Sequence, residues 1–269
     1  MKLHTAITAM LLGSSISCMN GWRAAHQHDL NFPMTIRHQA NTLVYFGNAT
    51  SEPQYQAGLE QQHVCRIIDT LRQQLCLDAI FYPKPVHGTD GLLIEADAVP
   101  EPRTKKCDYM MTSKPLIGLA IASADCLPII YIDPEHRAIA LAHAGWRGTA
   151  DKIAATVVEQ MAREFDSEPE KLHVIFGPST RCFGELHADE AIKHGLDIDK
   201  ESTVIKTPDG SLILDLSVLN QRQLVACGID PEKIDRSCNI CTKCDPQFCS
   251  HERETNNTQR QFSVVALMP

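Results

Sequence analysis

Three short stretches of this sequence place metal-ligating side chains at the ends of predicted strands. They are Val86-His87-Gly88, Ala124-Asp125-Cys126 and Ala142-His143-Ala144-Gly145-Trp146-Arg147-Gly148. Each follows or interrupts a predicted strand, and strand ends can aim side chains into a common pocket while a sheet holds them rigid. Two imidazoles and one thiolate suit Zn²⁺, whose catalytic sites keep three protein ligands and one open position. Such a zinc lowers the pKa of water towards about 7 and so provides a nucleophile at neutral pH. Asp125, next to the thiol, could orient a ligand or accept a proton. The same residues admit two other readings. In one, Cys126 is a nucleophile and His143 its base, as in a cysteine hydrolase. In the other, Cys126 is a small buried hydrophobe and His87 and His143 are loop histidines.

The elements that must position these residues follow from patterning. Apolar runs at Leu116–Ala122, Leu127–Ile132, Ala138–Ala142 and Leu172–Phe176 read as strands, with Asp133-Pro134-Glu135-His136 as a turn. Gly145–Gly148 breaks the third strand, and Thr149 is the expected N-cap of a helix over 150–165. Ile153, Val157, Met161 and Phe165 recur every fourth residue, which makes one apolar stripe. Further strands are predicted at Thr42–Phe46, Ala79–Tyr82, Tyr109–Thr112 and Phe262–Leu267, and helices at His63–Leu75, His187–Gly195 and Leu216–Cys227, the last stopped by Gly228. Asn48–Gly58 reads as a turn-rich loop, and residues 19–40 as a polar, poorly structured stretch. Strands and helices mix without strict alternation, so the fold class is α+β.

The 269 residues fit one large domain or two small ones and can bury a core without staples. Hydrophobic residues at 43% and charged residues at 22% exclude a disordered chain. A net charge of −8 argues against a general nucleic-acid binder. Eleven cysteines cannot all pair, which points to reduced thiols and a cytoplasmic location. Against that, Lys2, the apolar run Ala6–Leu12 and Ser15-Ile16-Ser17-Cys18 form a marginal export signal, the minority reading. The run is far short of the ~20 residues of a membrane helix. Residues 1–40 are read as a variable leader, signal-like or disordered, ahead of one domain over 41–269.

The segments Ala124-Asp125-Cys126-Leu127-Pro128, His143-Ala144-Gly145-Trp146-Arg147-Gly148 and Gly177-Pro178-Ser179 resemble the YfiH family, also called the laccase-domain or multicopper polyphenol oxidase family. The likeness extends through Val86-His87-Gly88, Leu214-Asp215-Leu216, Asn220, Gln223-Leu224, Gly228 and Cys241-Thr242, and covers roughly residues 80–267. It implies a single domain built as a layered α/β/β/α sandwich with mixed sheets. It implies a zinc held by His87, Cys126 and His143, with copper the weaker expectation, in a pocket shared with a purine nucleoside. The implied activity is phosphorolysis of adenosine, inosine or methylthioadenosine, with adenosine deaminase activity. Cys126, His143, Asp125 and Arg147 are then the candidate catalytic residues, Arg147 because a guanidinium matches phosphate. Expected partners are the nucleoside and phosphate, in a monomer or homodimer. The family's other proposals are laccase-like oxidation of polyphenols and hydrolysis of a peptidoglycan precursor. A metal- or purine-binding protein without turnover is the reading from a different class.

The chain departs from the family pattern in places. Pro85 replaces the Gln of Gln-x-His-Gly, and Asn48-Ala49-Thr50-Ser51 stands about where the family has Arg-x-Gly-Gly-Val-Ser. The terminal motifs survive only as Cys249-Ser250-His251-Glu252-Arg253 and Thr258-Gln259-Arg260. A second cysteine cluster, Cys238-x2-Cys241-x2-Cys244-x4-Cys249, has the wrong last spacing and no following Pro for an iron–sulfur run. Reduced thiols are the favoured reading there, ahead of a structural metal and of disulfides.

Overall fold

The computed structural model describes residues 8–10, 33–38, 41–51, 53–95, 100–181, 183–195, 204–206, 211–254, 256 and 258–269. Most of the export-like segment, His26, His28 and Cys182 lie outside them.

The elements in chain order are β1 (Thr8–Met10), β2 (Met34–His38), β3 (Thr42–Phe46), β4 (Tyr55–Gln56), α1 (Gln61–Gln74), β5 (Ala79–Phe81), β6 (Gly91–Leu93), β7 (Tyr109–Thr112), β8 (Ile117–Ser123), β9 (Leu127–Asp133) and β10 (Ala138–Ala144). Then come α2 (Trp146–Ala150), α3 (Ile153–Phe165), β11 (His173–Phe176), β12 (Phe183–His187), α4 (Ala188–Lys193), β13 (Val204–Lys206), β14 (Ser211–Leu214), α5 (Leu216–Ala226), β15 (Ile234–Asp235) and β16 (Gln259–Leu267). One sheet runs β1-β2-β3-β16-β8-β5, with β4 added on β16. A second runs β15-β11-β9-β10-β7-β6, and β12-β14-β13 form a small third.

The two-residue period of the strands sorts the side chains into layers. Val44, Phe46, Leu119, Ile121, Val265 and Leu267 of the first sheet meet Met110, Ile130, Ile132, Ile139, Leu141 and Ile175 of the second. The alternate residues of the first sheet, Leu43, Tyr45, Ala120, Ala122 and Val264, pack on Val64, Ile68 and Leu71 of α1. Those of the second, Leu127, Ile129, Tyr131 and the four alanines Ala138, Ala140, Ala142 and Ala144, pack on Ile153, Val157 and Met161 of α3 and Leu224 of α5. The order is α/β/β/α, as the resemblance implies. The small alanines give α3 a close seat, and full burial of each large stripe residue contributes roughly 1.5–3 kcal/mol.

Four local expectations change. Met34–His38, expected to be poorly structured, is a strand paired along its length with β3. The loop expected over Asn48–Gly58 contributes β4, paired with Gln259 and Arg260. The helix expected over His187–Gly195 occupies Ala188–Lys193, and β12 precedes it. The helix expected over 150–165 is two helices, with Lys152 in the left-handed conformation at their junction. Thr149 caps neither. It is buried within α2, and its hydroxyl accepts from Asn220 Nδ2 of α5 at 2.9 Å. Gly145, in extended conformation, is the cap residue of α2.

Candidate metal centre

Antiparallel register brings the three stretches to one end of the second sheet. Ala144 of β10 lies opposite Leu127 of β9, so Cys126, one residue before β9, comes level with the end of β10. Ala142 lies opposite Tyr109 of β7, so Asp108 comes level with His143, and the His143 N–H donates to the Asp108 carbonyl at 2.7 Å. β6 runs parallel to β7, and the loop that precedes it carries His87 to the same edge. A ligand atom from each of His87, Cys126 and His143 lies within 4.8 Å of the others. Among the described residues this is the one group of three or more His, Cys, Asp or Glu side chains so arranged. The two imidazoles meet edge to face, ring centres 5.0 Å apart. His143 is buried, Cys126 half-buried and His87 exposed, so the group opens outward on the His87 side.

The carboxylate of Asp108 organises this site, and sequence reading missed it. Its Oδ1 accepts from the His87 N–H at 2.8 Å and its Oδ2 from the Gly88 N–H at 2.8 Å. The Val86 N–H adds 3.1 Å to Oδ1. His143 Nδ1 lies 3.2 Å from Oδ1. One buried carboxylate therefore gathers the His87 loop and orients the His143 ring, which leaves Nε2 for the metal side. It also holds His87 in the left-handed region at φ 61°. Burial works to raise the Asp108 pKa, but the bonds from His143, Gly88 and His87 outweigh it and hold the group below its usual value. Asp108 directly precedes an apolar strand at the end of a charged stretch, and its partners His87 and His143 lie 21 and 35 residues away, so no spacing rule marks it.

Cys126 and His143 polarise each other. Burial opposes ionisation of the thiol, yet the charge of His143 and hydrogen bonds from both histidines bring it down to about 6. Burial likewise opposes a charged His143, but the thiolate and Asp108 raise it to about 10. A thiolate ready at neutral pH is the form that ligates metal.

The glycines of the third stretch make room. A Cβ on Gly145 would sit 3.0 Å from His87 Cδ2 and 3.1 Å from Cys126 Sγ. A Cβ on Gly148 would sit 2.9 Å from the Gly88 carbonyl oxygen, backbone that cannot turn aside. Gly148→Ala would otherwise favour α2 by up to about 1 kcal/mol. The expected outcome is a displaced His87 loop and metal affinity reduced by about tenfold or more, read by chelator competition. Affinity equal to wild type would show that the loop tolerates the shift.

The remaining candidates stand further out. Asp125, at φ 88°, is buried, and its carboxylate turns onto another segment: it accepts from Thr242 Oγ1 at 2.7 Å and the Glu252 N–H at 2.7 Å. It thereby anchors the turn that presents Cys126. Arg147 is exposed beside the site, its guanidinium 4.1 Å from the centre of the Trp146 ring and 3.9 Å from Glu190. An exposed ion pair of that length contributes little, so the guanidinium is accessible to an anion. Trp146 is half-buried against the helix-side core and meets the His194 ring edge to face. Cys238 and Cys249 are buried, and burial pushes their thiols up to about 12 and about 11. Among the described residues the sulfurs of Cys238, Cys241, Cys244 and Cys249 form no group of three or more within ligand distance.

A family model described as multi-copper polyphenol oxidoreductase laccase matches residues 41–268. The chain is 30% identical over 167 residues to the purine nucleoside phosphorylase YlmD of Bacillus subtilis, over 61% of this chain and 59% of that protein. The match thus spans about three fifths of that relative's length. Identity is 31% over 182 residues with a purine nucleoside phosphorylase of Deinococcus radiodurans, over 68% of each chain. It is 30% over 217 residues with an adenosine deaminase of an unknown prokaryotic organism, over 74% of this chain and 81% of that protein. The fold is similar to that of the hypothetical protein YfiH of Bacillus licheniformis, with TM-score 0.75 and 24% identity over 87% of this chain and 97% of that one. The crystal structure of YlmD from Geobacillus stearothermophilus gives TM-score 0.74 and 23% identity over 87% and 96%.

Proposed function

The chain belongs to the multi-copper polyphenol oxidoreductase laccase family, and from that premise we propose that it is a zinc-dependent purine nucleoside enzyme. It cleaves adenosine, inosine or methylthioadenosine with phosphate and deaminates adenosine. The observation that carries this reading is the convergence of His87, Cys126 and His143 within ligand distance at an open edge of the sheet. The donor set fits the metal: two imidazoles and an acidified thiol match the N/S ligands of zinc. Bound there, zinc supplies a Lewis acid that lowers the pKa of water to about 7 and polarises a substrate oxygen or ring carbon.

The chain's own residues do the rest. His143 is oriented through Nδ1 by Asp108, and His87 is presented by the backbone that the same carboxylate grips. Asp125 fixes the turn at Cys126. Arg147 receives the phosphate dianion that attacks the ribose C1′, releasing the base and leaving ribose 1-phosphate. In deamination, water replaces the purine 6-amino group and ammonia leaves. Two imidazoles and one thiolate, the three-ligand group found among the described residues, suit a single zinc and so favour the nucleoside reading over polyphenol oxidation.

A second reading rests on the same geometry. Cys126, His143 and Asp108 line up as nucleophile, base and orienting carboxylate, which would suit amide hydrolysis on a cell-wall precursor. Metal-analysed protein incubated with adenosine, inosine and methylthioadenosine, with and without phosphate, tests the first reading. Phosphate-dependent base release and inosine from adenosine are expected. Neither product, from protein holding one zinc per chain, would sink it.

A further inference from the structure

We propose that Cys241 and Cys244 are a redox-active dithiol that closes to a disulfide, an inference independent of the nucleoside reading. The spacing is Cys-x-x-Cys, with Thr242 and Lys243 between. The chain turns tightly there, and the Asp245 N–H donates back to the Cys241 carbonyl at 2.9 Å. That i→i+4 bond closes one helix-like turn, which sets residues i and i+3 on one face with Cα atoms roughly 5–6 Å apart, and disulfides span about 4.4–6.8 Å. Both residues are present as thiols, Cys244 exposed and Cys241 partly so, whereas Cys238 and Cys249 are buried.

The surroundings hold the turn in shape. Arg253 donates through Nη1 to the carbonyls of Thr242 at 2.6 Å and Asp245 at 3.1 Å, and through Nη2 to that of Phe248 at 2.6 Å. The other side is stitched to Ser179: its N–H donates to the Ile240 carbonyl at 3.1 Å, and the Thr242 N–H donates to its carbonyl at 3.1 Å. The Arg181 N–H points at Cys241 Sγ, 3.4 Å away. The backbone donor on the Cys241 sulfur and the guanidinium that ties the carbonyls of the turn hold the two cysteines in one fixed loop. Thr242, between the two cysteines, grips Asp125, so the pair sits one residue contact from the turn that presents Cys126.

The oxidant is a low-molecular-weight disulfide such as oxidised glutathione. The exposed Cys244 thiolate attacks one glutathione sulfur, forming a mixed disulfide and expelling one glutathione thiolate. Cys241 then attacks the Cys244 sulfur, the protein disulfide forms, and the second glutathione leaves. Two protein thiols lose two electrons and two protons, and two glutathione thiols gain them.

The full chain is equilibrated in glutathione buffers stepped from reducing to oxidising poise, blocked with iodoacetamide, and residues 237–253 are mapped by mass spectrometry. At oxidising poise Cys241 and Cys244 should escape alkylation and fragment as a linked pair, and dithiothreitol should restore both. Cys244→Ser should abolish the link. The proposal fails if both residues are alkylated at oxidising poise. It fails equally if Cys244 keeps a stable glutathione adduct beside an alkylated Cys241, or if Cys244→Ser still yields Cys241 joined to Cys238 or Cys249.

Discussion

Cys126→Ser is expected to cost the protein both its metal and its turnover. Cys126 supplies the one thiol among the three converging ligands, and the histidines beside it hold that thiol down to about 6. A serine hydroxyl keeps the volume but stays protonated and ligates zinc weakly. Groups one step removed from a metal are already worth about 10–100-fold in affinity or activity. Loss of a direct ligand should therefore exceed about 10²-fold in affinity, with nucleoside turnover falling in parallel. Zinc content by elemental analysis and base release from inosine read the two effects separately. Zinc retained at one per chain with activity abolished would overturn the metal-ligand role and favour Cys126 as a nucleophile served by His143.

The second large effect belongs to Asp108. Asn in its place keeps the shape but offers one acceptor oxygen where two now receive the His87, Gly88 and Val86 N–H groups and face His143 Nδ1. At least one buried donor is then left facing an NH₂ group, at a cost of about 1–3 kcal/mol. Asp108→Asn should lower metal affinity by about 10–100-fold, because the His87 loop and the His143 ring lose their common anchor. It should also change the acid limb of stability. A carboxylate whose folded pKa is depressed stabilises the fold above its unfolded value near pH 3.9, and that contribution is lost as pH falls through the folded value. Wild type should thus lose stability steeply below about pH 4, and Asp108→Asn should start lower at neutral pH and fall less steeply there. Chelator competition and melts from pH 3 to 7 measure both. Unchanged affinity and an unchanged acid limb would show that Asp108 is a bystander.

Much of this could be read along the chain. The strands on either side of the site announced themselves as unbroken apolar runs, because Leu127–Asp133 and Ala138–Ala144 are buried on both faces. The stripe Ile153, Val157, Met161 marked α3 because a helix on a sheet buries one face only. Elements with weak local signals escaped. Gly91–Leu93 is a strand of three residues whose pairing with β7 is what defines it. Met34–His38 is a strand because β3 offers it a partner. Thr149 has the composition of a cap, but Asn220, 71 residues away in sequence, takes its hydroxyl.

The sequence by itself determined which atoms are available for chemistry: two imidazoles, one thiol and a pair of glycines at strand ends, in an α+β chain with core enough to hold them. Residue type decides donor chemistry, and local patterning decides where strands stop. Tertiary structure decided the rest. Only the registers of β7 against β10 and of β10 against β9 place Asp108 level with His143 and bring Cys126 beside it. Only packing turns the Asp125 carboxylate onto Thr242 and Glu252 rather than into the site. A carboxylate has no directional code in sequence; its partner is whichever donor the fold brings within about 3 Å once water is excluded.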